Sequence, residues 1–196
     1  TTGAATAIPG IRNGEFEMAI DSPAGPVVGP GEQIGGGGQG FPCPCGNVND
    51  GSLLPDLSGC ATVLNPEGAR MKGTGTPSVA NDTVVLWADH MKPNTWGLFF
   101  KGNNAGLPGV PMGTFPNGLL QVAGGIKRFP ATQADATGYA DSTTYANPIS
   151  VITPASPGQT FFYQWWYRTP NANAPCTPGI PGSSNTSNVY VITWLP

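Results

Sequence analysis

Four cysteines are the residues whose types and spacing most clearly indicate a chemistry. Their number is even, they include no C-x-x-C pair, and the chain has a single histidine, so a zinc site would lack its usual ligands and spacing. Two disulfides are the favoured interpretation, with a metal site or free thiols as the alternatives. We expect the bridges Cys45–Cys60 and Cys43–Cys176. Bridges of this kind form in oxidising compartments and predict a protein that is secreted or held at the cell surface.

The other residues with catalytic side chains form no recognisable constellation. His90 has no G-x-S-x-G elbow to accompany it, so we interpret it as a histidine in a turn and not as a member of a triad. The aspartates are scattered through predicted loops. The glycine-rich run at 35–40 is followed by neither a helix nor the Lys-Ser/Thr pair of a phosphate loop. The sequence therefore predicts no enzymatic activity, no cofactor and no bound metal.

Tryptophan side chains could stack on sugars, and the chain has five of them. Packing in the core is the competing interpretation for each one. Trp166 is the best candidate for exposure, because a strand would place it on one face with Gln164 and Arg168. It is therefore the candidate residue for ligand stacking.

The segment Thr160–Arg168 (TFFYQWWYR) is the element that must position these aromatic residues. Its alternation as a strand gives one wholly aromatic face, formed by Phe161, Tyr163, Trp165 and Tyr167. Pro and Gly residues close both ends and disfavour a helix. We expect a central strand with Tyr163 and Trp165 buried. It should pair with the last alternating segment, Asn188–Trp194, or lie one strand away from it.

Composition supports the same class of fold. Gly (29 residues) and Pro (22) separate short hydrophobic runs, a pattern typical of an all-β chain with many turns. The other candidate strands are Gly68–Gly73, Thr83–Ala88, Trp96–Lys101, Leu119–Val122, Ile126–Phe129 and Ile149–Ile152. Residues 42–196 are therefore predicted to form an antiparallel β-sandwich of about seven or eight strands, jelly-roll or immunoglobulin-like.

Charge and hydropathy exclude two classes of partner. Charged residues make up 10% of the chain and the net charge is −3, so there is no basic surface of the kind that binds nucleic acid. The sequence also lacks an apolar run of the length that crosses a membrane. A polar chain with so few charges suits an extracellular surface or an assembly interface.

Residues 1–41 differ from the rest and are predicted to be an N-terminal extension. Its Gly/Pro-rich part, Pro23–Gly40, is expected to hold no strand or helix. The segment at 15–21 alternates as a strand does, with an apolar face formed by Phe16, Met18 and Ile20. This strand either pairs at the edge of its own domain or completes the sheet of a neighbouring subunit by strand addition.

Several motifs occur together in a familiar order, namely Cys43-Pro44-Cys45-Gly46-Asn47, Gly59-Cys60-Ala61, Gly118-Leu119-Leu120, Phe161–Pro170, Cys176 and the closing segment Val189–Trp194. Over residues 42–196 the chain resembles a domain at the C-terminal end of many secreted, mostly uncharacterised proteins of planctomycetes and myxobacteria. The resemblance implies export and a β-sandwich, and it implies no reaction. Members of that family carry six cysteines. The two that are absent here fall upstream of Cys43 and near Gln121, which implies that they pair in the family and supports two disulfides among the remaining four.

The sequence as a whole favours an extracellular structural or adhesive subunit. Its expected partners are copies of itself, joined into a fibre by addition of the strand at 15–21 to a neighbour. The alternative is a carbohydrate-binding module of a secreted protein, with an extracellular polysaccharide as its partner.

Overall fold

The computed structural model describes residues 31–34, 42–106, 113–170, 173–176 and 183–196, with backbone alone for 113–114. The described strands are β1 (Gly31–Ile34), β2 (Arg70–Thr74), β3 (Val85–Asp89), β4 (Trp96–Gly102), β5 (Asn104–Ala105), β6 (Gly113–Thr114), β7 (Leu119–Leu120), β8 (Val122–Ala123), β9 (Lys127–Gln133), β10 (Ala140–Asp141), β11 (Thr160–Arg168) and β12 (Ser184–Thr193), and one helical turn, α1, spans Ile149–Ile152. The strands outnumber the seven or eight predicted because five of them have only two residues.

Two antiparallel sheets pack together, which confirms the predicted β-sandwich. The larger sheet has the strand order β1-β12-β11-β4-β9 and the smaller one has the order β10-β3-β2. Side chains from both sheets meet in one core, in which Met71 and Leu86 of the smaller sheet join Phe99, Trp165 and Ile192 of the larger one. Two further short ladders, β5–β8 and β6–β7, lie outside these sheets.

Strand β11 has the predicted position, bounds and faces. It pairs antiparallel with β12 on one side and with β4 on the other. Tyr163 and Trp165 are both 0% exposed, as the alternation predicted. Gly97 of β4 makes room for the indole of Trp165, because a Cβ at this position would collide with the ring. The aromatic face of β11 is therefore the centre of the core.

Strand β12 begins earlier than predicted, in a polar run that the structure buries completely. Residues 184–188 (Ser-Asn-Thr-Ser-Asn) are all buried, and the side chains of the last four donate hydrogen bonds to backbone carbonyls. Asn188 accepts a hydrogen bond from the backbone N–H of Met71 (2.7 Å) and donates one to the Met71 carbonyl (3.1 Å). Gln164 of β11 donates to the carbonyls of Leu119 and Ser187, both at 2.8 Å. Burial is tolerated because these amides are bonded, and Asn188 joins the two sheets.

The predicted strand Ile149–Ile152 is wrong, since this segment forms the single turn α1. Four consecutive apolar or small residues carry too little periodicity to separate the two structures. The turn is closed by the Thr153 N–H, which donates to the Ile149 carbonyl (2.9 Å). Asp82 accepts a hydrogen bond from the Ser150 N–H (2.7 Å), one of the amides that a first helical turn leaves without a backbone partner.

The expectation that Pro23–Gly40 holds no strand is wrong at β1, which is an edge strand of the larger sheet. Gln33 fixes it through tertiary hydrogen bonds, donating to the carbonyls of Leu57 and Met71, both at 3.1 Å. The Tyr190 hydroxyl also accepts from the Gly31 N–H (3.0 Å) and donates to the Gly31 carbonyl (2.9 Å). The candidate donor strand at 15–21, with Phe16, Met18 and Ile20, lies outside the described residues.

Candidate functional site

The outer face of the larger sheet carries an exposed aromatic and basic surface, here called the outer strip. It consists of Trp96 and Leu98 of β4, Trp166 and Arg168 of β11, and Arg128 of β9. Strand alternation and register place these side chains on one face, because Trp166 is opposite Leu98 and Arg128 is opposite Phe100. Trp96 lies two residues from Leu98 along β4, so it is the diagonal neighbour of Trp166 on this face.

Trp166, the predicted stacking residue, is only half exposed. Its ring packs against Phe115, with 6.4 Å between ring centroids, and the Arg168 guanidinium lies 4.9 Å above it. Trp96 is 54% exposed and is the most accessible of the five tryptophans. The sequence could have indicated that Trp96 is exposed. Alternation along β4 places Trp96 on the face opposite to Phe99, which is a core residue.

The same face continues towards β1 as a partly covered apolar surface. Phe162, Val191 and Ile34 are half-buried and pack around Phe100 and Val189. Strand β8 covers part of this surface and approaches closely at Gly102, where a Cβ would collide with the Ala123 carbonyl. The open parts of the face are therefore its two ends, the outer strip beside β9 and the region beside β1.

The two edges of the larger sheet are built differently. Edge strand β9 contains Pro130, Lys127 and Arg128, and proline and basic residues are devices that discourage pairing with another strand. Edge strand β1 has neither proline nor a basic residue. One side of β1 pairs with β12, and its other side has no strand partner among the residues that the structure describes. Among the described residues, β1 is therefore the edge of the larger sheet that has neither a second strand partner nor proline or basic residues.

All four cysteines form disulfides, but the predicted pairing is wrong. The bridges are Cys43–Cys60 and Cys45–Cys176. Cys43 and Cys60 are buried against Leu119, whereas Cys45 is exposed. Each closed loop differs by two residues from the predicted one, and the loop entropies of the two pairings therefore differ by only about 0.1 kcal/mol.

Tertiary contacts around Asn47 and Asn117 determine the pairing. The Asn47 amide donates to the carbonyls of Ala61 and Asn117, both at 2.9 Å, and Asn117 accepts from the Cys176 N–H at 2.8 Å. These bonds hold the Cys-Pro-Cys segment with Cys45 beside Cys176. The two disulfides indicate an oxidising environment.

A second cluster of charges lies on the smaller sheet, and its members satisfy one another. Arg70 bonds Asp56 (2.7 Å) and Asp89 (3.1 Å from Nε), and Lys72 lies 2.6 Å from Asp56. The Asp89 carboxylate raises the pKa of Arg70 above its usual value. Arg70 also lies over the Trp87 ring, at 5.4 Å. Because these charges are paired and Trp87 is half-buried, the cluster acts as a brace across β2 and β3.

The structure places the Asp89 carboxylate beside His90. This residue has φ 58° in the turn after β3, and its Nδ1 lies 2.8 Å from Asp89 Oδ1. No thiolate is present, because all four cysteines are bridged. Within the described ranges, no group of three or more His, Cys, Asp or Glu side chains is placed to hold a metal ion.

No protein-family model, curated protein or solved structure matches this chain. The resemblance to the C-terminal domain of secreted planctomycete and myxobacterial proteins therefore stays a prediction. In the described part of the chain, the longest helix is the four-residue turn α1, which is far too short to cross a bilayer.

Proposed function

We propose that this chain is an extracellular structural or adhesive subunit, without catalytic activity, that assembles by strand addition. The donor is the segment at 15–21, and the acceptor is the open edge of β1 in a neighbouring copy. The observation that carries the proposal is the contrast between β1, which has neither proline nor a basic residue and has no second strand partner among the described residues, and the protected edge at β9.

The surface beside β1 suits such a donor. Ile34 and Val191 are half-buried on the outer face next to the open edge. A strand added there would bury its apolar side chains beside them, and Phe16, Met18 and Ile20 form one apolar face of the donor. Backbone hydrogen bonds would supply affinity, and these side chains would supply the register.

Composition favours a neighbouring copy over the chain's own edge. Residues 22–30 span at most about 30 Å, so they allow both arrangements. With charged residues at 10% of the chain, copies repel one another weakly. Each copy has one donor segment and one acceptor edge, so the proposed contact is head-to-tail and propagates into a fibre.

The proposal is tested by replacing Phe16, Met18 and Ile20 together with serine in the full chain. The expected result is a folded monomer where the parent chain forms multimers, measured by analytical ultracentrifugation and electron microscopy. The matched control replaces Glu15, Glu17 and Asp21 with the corresponding amides. It changes the other face of the same strand and should leave assembly intact.

A truncated chain that lacks residues 1–22 separates the donor from the acceptor. It should stay folded, fail to polymerise and bind a synthetic peptide of residues 12–22. Assembly of the truncated chain, or a parent chain that stays monomeric at high concentration, would show that the fibre proposal is wrong. If the truncated chain unfolds, the result would instead indicate that the segment at 15–21 pairs within its own domain.

A further inference from the structure

We propose that the outer strip binds an acidic polysaccharide, with Trp96 as the stacking residue and Arg128 as the contact for a carboxylate. This inference does not depend on assembly. The strip lies on β11, β4 and β9, whereas the acceptor edge is β1 at the opposite side of the sheet.

The aromatic part of the strip is accessible and held in place by the sheet. Trp96 is 54% exposed although it belongs to a strand of the larger sheet, and it lies on the same face as Trp166. Phe115 and Arg168 pack on Trp166 and hold its ring in place. Trp96 is the open ring of the pair, and a ring fixed by a strand can receive the C–H face of a sugar residue at little cost in conformational entropy.

The charge of these strands has one sign. Strands β4, β9 and β11 contain no acidic residue. Their basic residues on the outer face are Arg128 and Arg168, because the register places Lys101 and Lys127 on the inner face. The chain as a whole has a net charge of −3, so this concentration of positive charge is a local feature. Arg128 is exposed and forms no ion pair within the part of the chain that the structure describes. Its charge is therefore available to a ligand.

A uronic acid polymer matches both features. Each of its sugar rings has an apolar C–H face and a carboxylate, and a guanidinium can bind a carboxylate through two parallel hydrogen bonds. A carboxylate would lie beside Arg128 while a sugar ring stacks on Trp96. The smaller sheet is a poor alternative, because Arg70 and Lys72 are already paired with carboxylates.

The test measures binding of the full chain to oligogalacturonate by titration calorimetry, with the fully methyl-esterified oligomer as the matched neutral ligand. Binding to the acidic oligomer should exceed binding to the neutral one and should weaken as salt is added. Trp96→Ala and Arg128→Gln should each lower the affinity about tenfold, the effect of losing one good contact. Trp96→Phe should retain most of the affinity, because the stacking surface remains.

Lys72→Gln is the control, since it removes the same charge from the other sheet and should leave the affinity unchanged. Circular dichroism confirms that each variant is folded. Equal binding to the esterified oligomer would overturn the acidic class of ligand. Equal or tighter binding to a single-stranded oligothymidylate of the same charge would assign the strip to nucleic acid. Absence of any binding at millimolar oligomer, or full affinity in Trp96→Ala, would overturn the site itself.

Discussion

At the scale of single residues, side chains of one type have opposite roles depending on the sheet face they occupy. Trp165 is 0% exposed and packs 4.4 Å from Phe99, measured between ring centroids. Trp96 lies on the neighbouring strand and is 54% exposed. The first side chain contributes to the core, whereas the second has most of its surface free for a ligand.

The first prediction compares these two tryptophans. Trp165→Ala should lower the free energy of unfolding by about 3–5 kcal/mol, because it removes a large ring from a closely packed core. Trp96→Ala should change it by less than about 1 kcal/mol, because the ring is mostly in water already. Urea denaturation followed by circular dichroism measures both values. Similar losses for the two variants would contradict the assignment of the faces.

At the scale of elements, the two disulfides connect different parts of the fold and differ in accessibility. Cys43–Cys60 spans 17 positions and is buried, with Cys60 at 1% exposure. Cys45–Cys176 spans 131 positions and joins the segment between β1 and β2 to the segment before β12. Cys45 is exposed, so a reducing thiolate can reach this bridge in the folded protein.

The second prediction is therefore an order of reduction. Mild treatment of the native protein with dithiothreitol should reduce Cys45–Cys176 before Cys43–Cys60. Alkylation of the freed thiols and peptide mapping over time measure the order. In denaturant both bridges should be reduced at similar rates, which serves as the control. Earlier labelling of Cys60 in the native protein would contradict the prediction.

At the scale of the whole molecule, burial affects every tyrosine. It raises the pKa of Tyr139, Tyr145 and Tyr190 to about 12 from an ordinary value of 10.0, and neighbouring carboxylates contribute at Tyr139. It raises the pKa of Tyr163 and Tyr167 further still. These are all five tyrosines of the chain. Between pH 10.0 and about 12, the folded protein thus keeps phenolic protons that the unfolded chain loses.

The third prediction concerns alkaline pH. Because the folded pKa values are raised, their contribution to stability is complete below pH 10 and is lost as the pH rises towards 12. We expect tyrosinate absorbance to appear cooperatively, together with the loss of the β-sheet signal in circular dichroism. A reduced and denatured sample should titrate near about pH 10. Independent titration of several tyrosines in the folded protein near that pH would contradict the prediction.

The sequence by itself determined the features that depend on local periodicity. The alternation of Thr160–Arg168 is enough to predict the strand and its buried face, because side chains of a strand alternate wherever the strand lies. The even number of cysteines also predicted two bridges, because it is a property of composition that does not depend on the fold. Alternation also identified Trp166 as an outer-face residue, although not how much of it is covered.

The tertiary structure decided the features that depend on partners distant in the chain. Asn188 can be buried because it bonds Met71, which lies 117 positions away. The edge strand β1 forms because Gln33 and Tyr190 hold it, and the cysteines pair as they do because Asn47 and Asn117 place them. Trp166 is more covered than Trp96, and the residues that pack on its ring are Phe115, 51 positions away, and Arg168. The loop entropies of the two cysteine pairings are nearly equal, so they do not favour one pairing over the other. Short segments without periodicity likewise do not indicate their partners, and only the folded chain reveals these contacts.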